Sequence, residues 1–106
     1  PDCVERITLK SLPLGTPARF PYENRRIQLE PGDVLFMMSD GLMELFNSDR
    51  RQLGLQRIEQ ELQHNAAKSS EAIIQHMRRL MHSWSDGHKN EDDVTMMAVK
   101  VPQTET

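Results

Sequence analysis

A single cysteine, Cys3, stands in 106 residues, so the chain can form neither an internal disulfide nor a cysteine metal cluster. A reducing, cytoplasmic setting is the expectation. Long apolar runs are missing too. The longest, Val34 to Met38, falls far short of the roughly 20 residues that span a bilayer, and no transmembrane helix or signal peptide is expected. Nor is there a surplus of positive charge: 13 basic against 16 acidic side chains leave a net charge of −3. That balance argues against nucleic acid or an anionic membrane as partner. Proline is absent between Pro31 and Pro102, which reserves that stretch for helices. No Ser-His-Asp or Cys-His constellation stands out, so a protein nucleophile has no obvious bearer.

What is present fits one small domain. Hydrophobic residues make up 37% and charged residues 27%, a soluble globular balance. A chain of this length buries only about 60–65% of its unfolded surface, so its core must be small and well patterned. The chain opens on Pro1 rather than methionine, which suggests a piece of something longer.

Alternation of Ile7 and Leu9 with polar neighbours, and again of Ile27 and Leu29, predicts strands near 4–10 and 24–30. Glu30-Pro31-Gly32-Asp33 has the proline and glycine of a type II turn. Val34-Leu35-Phe36-Met37-Met38 is apolar on both sides of the pleat and predicts a central strand covered on both faces. A short helical stretch is expected around Leu42 to Phe46, then a polar turn from Asn47 to Arg51. Leu55, Ile58 and Leu62 predict an amphipathic helix over 54–64. Ser69 or Ser70 can cap a second helix over 70–84, with Ile73, Met77, Leu80 and Trp84 on one stripe and Ile74 and Met81 beside it. Val94 to Val101 returns to strand character, and residues 102–106 read as a frayed tail. The expected architecture is α/β, an α+β layered domain of about four strands and two main helices.

Candidate chemistry gathers at strand ends. Asp40 stands where the buried strand emerges, followed by Gly41, which permits a tight turn or close approach. Asp92 and Asp93 precede the last strand. Successive strand residues point to opposite faces, so only one of this pair can aim at a site shared with Asp40. A cation would hold such carboxylates together, and oxygen ligands favour Mg²⁺ or Mn²⁺. The bland reading is that Asp-Gly marks a turn and Asp-Asp a solvated loop. Asp86, His88, Asn90 and Asp92 match the first positions of a calcium loop, but Glu91 stands where it needs glycine and Met97 where it needs glutamate, which rules it out. His76 and His82 are six residues apart and do not share a helical face. They and His64 are expected at the surface or its boundary, and His88 in a loop.

The ordered segments Leu12-Pro13-Leu14-Gly15, Leu29-Glu30-Pro31-Gly32-Asp33, Met38-Ser39-Asp40-Gly41-Leu42-Met43-Glu44, Leu53-Gly54-Leu55-Gln56-Arg57-Ile58 and Glu91-Asp92-Asp93-Val94-Thr95 resemble the carboxyl-terminal half of SpoIIE/RsbU-like serine phosphatases of the PPM superfamily, the metal-dependent protein phosphatases. The resemblance covers about residues 10–101. It implies part of a β-sandwich flanked by helices, with residues 1–101 as the carboxyl-terminal portion of the domain. It implies Asp40 and Asp92 as catalytic metal ligands. Asp93 becomes a hydrogen-bonding neighbour first and a ligand second, and Gly41 could offer a ligand only through its backbone. Glu44 reads as an exposed helix carboxylate, or as a support behind a ligand. Two Mn²⁺ or Mg²⁺ ions in the complete domain would activate the water that attacks phosphoserine or phosphothreonine. The implied partner is a phosphorylated protein of bacterial signalling, such as an anti-sigma-factor antagonist. The family's metal-bridging aspartate belongs to an amino-terminal half that this chain lacks. Alone, the chain is therefore expected to be inactive and to associate with itself or with that half. A catalytically inactive, phosphatase-like adaptor is the alternative.

Overall fold

The computed structural model describes residues 4–7, 24–86 and 93–103. Pro31 and Gly32 make the expected reversal: the Asp33 amide donates to the Glu30 carbonyl at 2.9 Å, and Gly32 takes a φ of 88° that a side chain would resist. The turn feeds β1 (Val34–Met38), which pairs antiparallel with β2 (Met96–Lys100). The two strands form one sheet, with Val34 opposite Lys100 and Met38 opposite Met96. Between them lie α1 (Asp40–Met43), α2 (Leu55–Asn65) and α3 (Ser70–Trp84). This is the expected mixture of helices and strands.

Both long helices fall within one residue of their expected bounds, because their signals are local. Ser69 is the cap of α3, its hydroxyl accepting from the Ala72 amide at 3.1 Å. Ile73, Met77 and Leu80 are buried as one stripe, with Trp84 half-buried beyond them. Ile58 of α2, Leu42 of α1, and Leu45 and Leu53 of the connecting loop complete the core. Val34, Phe36 and Met38 of β1, and Met96 and Ala98 of β2, pack against it from the sheet. Lys100 reaches over to donate to the carbonyls of Ala66 and Lys68 at 3.1 and 2.7 Å. A cation is well placed there, just past the negative end of α2.

Four expectations about strands need correction. Residues 24–30 are not a strand: Ile27 is 46% exposed, and the segment has no ladder partner among the described residues. Alternating side chains report a half-wet environment, whereas a strand also needs a neighbouring backbone. Residues 4–7 likewise carry no strand, and 8–10 lie outside the described residues. The last strand begins at Met96 rather than Val94. Finally, among the described residues β1 is packed against the core on one face only. On the other face Met37 stays 46% exposed, alongside Met97 at 54% and Val99 at 42%. An unbroken apolar run cannot tell one covered face from two.

Candidate metal site at the sheet end

Where β1 stops, Ser39 turns the chain into α1, and Asp40 becomes the first residue of that helix. Leu42 drives the turn by burying its side chain in the core. The start of α1 then projects Asp40 toward solvent, where it is exposed. Across the sheet end, the Ser39 amide donates to the Thr95 carbonyl at 2.9 Å, and the Thr95 amide donates to the Ser39 hydroxyl, also at 2.9 Å. That hydroxyl lies 3.5 Å from the Asp93 carbonyl, a long hydrogen bond. Gly41 is part of the same junction. A Cβ placed on it would stand 2.5 Å from the Asp93 carbonyl oxygen, so a side chain at 41 would push the two segments apart.

The structure thus brings the Asp40 segment and the Asp93 segment together, 53 positions apart in sequence. Asp92 and His88 lie outside the described residues. Glu44 is exposed at the carboxyl end of α1. His64 and His82 are exposed, as expected. His76 is half-buried at the boundary, also as expected, with Nε2 2.7 Å from a carboxylate oxygen of Glu61. Arg57 donates to the same carboxylate at 3.0 Å. The His76 hydrogen bond, more than the Arg57 contacts, holds the Glu61 carboxyl below the usual carboxylate range, against the opposing effect of burial. This cluster joins α2 to α3.

For a hard divalent cation the donor chemistry at the sheet end is right, because Asp40 and Asp93 offer only oxygen. Among the described residues, though, no three His, Cys, Asp or Glu side chains are gathered closely enough to hold an ion. An open depression lined by Gln75, Arg78, Arg79, His82 and Ser83 on α3 includes none of the candidate ligands. No helix among the described residues is long and apolar enough to cross a membrane.

The sequence model of the family described as Stage II sporulation protein E (SpoIIE) matches residues 2–102. The chain belongs to the SpoIIE family. That match takes in every described element from β1 to β2, and with them Ser39, Asp40, Gly41 and Asp93. Membership relates the chain to the PPM phosphatases, a group that generally works with Mn²⁺ or Mg²⁺. No curated protein and no solved structure gave a significant match. Sequence reasoning missed Ser39. Its signal was the hydroxyl directly after a strand and directly before Asp-Gly.

Proposed function

We propose that this SpoIIE-family chain is the carboxyl-terminal portion of a metal-dependent phosphatase domain that acts on phosphoserine or phosphothreonine in a protein of bacterial cytoplasmic signalling. The observation that supports it is the junction at the sheet end, where Asp40 and Asp93, distant in sequence, stand exposed on adjoining segments. Asp40 and Asp92 would hold the metal through anionic oxygens, and Asp93 would support the turn by hydrogen bonding. Bound there, Mg²⁺ or Mn²⁺ supplies a water of lowered pKa and neutralises charge on the phosphoryl oxygens. An anti-sigma-factor antagonist is the substrate class by family analogy.

The test belongs in the complete domain, with the family's amino-terminal half present. Asp40→Asn and Asp92→Asn are each expected to lower Mn²⁺-dependent phosphate release by about 10²–10³-fold or more. Asp93→Asn should cost less than about tenfold. Equal losses at 92 and 93 would reverse the assignment between the neighbours. An inactive, phosphatase-like adaptor is the second reading. It requires that the complete domain release no phosphate above background before any substitution is made.

A further inference from the structure

The last rung of the sheet is built in an unusual way. The pairing of Val34 with Lys100 through Met38 with Met96 continues in register to Ser39 and Thr95. In an antiparallel ladder a hydrogen-bonded pair exchanges two bonds, each amide donating to the other's carbonyl. Here the Ser39 amide donates to the Thr95 carbonyl as the ladder requires. The return bond from the Thr95 amide goes instead to the Ser39 hydroxyl. The Ser39 carbonyl is engaged elsewhere, accepting from the Leu42 amide at 3.3 Å in the first turn of α1. Ser39 also occupies the amino-terminal cap position of α1, where a serine hydroxyl ordinarily accepts from the helix's own amides. It makes no such bond.

We propose that Ser39 is a positioning residue: its hydroxyl replaces its own carbonyl in the final rung, so the strand can turn into α1 at Asp40 while the chain at Asp93 and Thr95 stays locked against it. The inference rests on the metal-site reading above and adds to it the group that sets the spacing between its two halves. Alanine at 39 removes the acceptor that the Thr95 amide uses, and the Ser39 carbonyl is turned to the Leu42 amide of α1 instead. Threonine keeps the hydroxyl and tolerates the extended backbone at this position, φ −80° and ψ 162°.

Two measurements on the full 106-residue chain decide it, amide hydrogen exchange and a Mn²⁺ titration followed by paramagnetic broadening of backbone amide signals. In Ser39→Ala, exchange at Thr95 should accelerate at least about tenfold while the amides of Met77 and Leu80 in α3 keep their protection, and Ser39→Thr should restore the original rate. The Mn²⁺ concentration that half-broadens the Asp40 and Asp93 signals should rise about tenfold or more in Ser39→Ala and return in Ser39→Thr. Unchanged Thr95 exchange and unchanged broadening in Ser39→Ala, with the parent chain binding Mn²⁺, would overturn the positioning role alone. So would Ser39→Thr behaving like Ser39→Ala. A parent chain whose Asp40 and Asp93 signals never broaden would overturn the claim that Ser39 spaces a metal site in this chain, while the metal site itself is judged by the Asp40 and Asp92 substitutions in the complete domain.

Discussion

At Gly41 the close approach is steric. Its φ is not in the left-handed region, so alanine meets no backbone penalty there, and the nearest obstacle is the Asp93 carbonyl oxygen 2.5 Å from the new Cβ, with Val94 Cγ2 at 3.3 Å. That oxygen is backbone, and it can retreat only by moving the whole segment. Gly41→Ala is therefore expected to destabilise by about 1–3 kcal/mol, the usual cost of overpacking, and to weaken Mn²⁺ binding along with it. Chemical denaturation with and without Mn²⁺ checks both. Gly54 is the contrast: it has open space around it but a φ of 81°, so substitution there strains the backbone without touching the site.

Between elements, the helices are tied by polar contacts as well as by the apolar stripe. The Trp84 indole N–H donates to the Leu45 carbonyl at 2.9 Å and approaches the Arg51 carbonyl at 3.2 Å, anchoring the end of α3 to the loop before α2. Trp84→Phe keeps most of the apolar body and removes only the indole bond, since the Leu45 and Arg51 carbonyls still accept from the Leu53 and Asn47 amides at 2.8 and 2.9 Å, for an expected cost of about 0.5–1.5 kcal/mol. Trp84→Ala also loses the ring and should cost about 3–5 kcal/mol. A denaturation midpoint that does not order the two variants this way would show that the indole bonds add nothing. The Glu61 cluster makes a pH prediction. Its folded-state pKa is lowered, chiefly by the His76 hydrogen bond, so its contribution is fully present above the ordinary carboxylate pKa. That contribution is lost as pH falls through the lowered folded value. Glu61→Gln should remove on the order of 1 kcal/mol at neutral pH and flatten the decline of stability on acidification. Unfolding free energies of both proteins across pH 3–7, about the carboxylate range, are the measurement.

At the scale of the whole molecule, the sheet has two unlike faces. Val34, Phe36, Met38, Met96 and Ala98 lie on the helices, whereas Met37, Met97 and Val99 form an apolar patch on the opposite face. Met37 stands directly across from Met97, so the patch is continuous across the strand pair. Exposed apolar surface of this kind favours association. The isolated chain is expected to form oligomers as its concentration rises, and Met37→Lys with Met97→Lys should shift it toward monomer without loss of helical content. Sedimentation equilibrium together with circular dichroism would test this. A parent chain that stays monomeric at high concentration would count against it.

The sequence by itself determined the features that depend on near neighbours. The bounds of α2 and α3, the Ser69 cap and the turn at Pro31 and Gly32 each follow from residues a few positions apart, and helix periodicity expresses bonds that close within one turn. The pairing of Asp40 with a later acidic segment was legible only as a possibility, because strand alternation excludes one neighbour without specifying which. Tertiary structure decided the rest. Nothing local distinguishes residues 24–30 from a paired strand, since the missing ingredient is another backbone. Which face of the sheet is covered depends on α3, which packs on β2 and begins more than 30 positions after β1 ends. The His76–Glu61 contact spans 15 positions, the Trp84 anchor to Leu45 39, and the Ser39–Thr95 rung 56. In each case the partner is chosen by packing of the whole chain, and a single strand or helix holds no record of what will be folded against it.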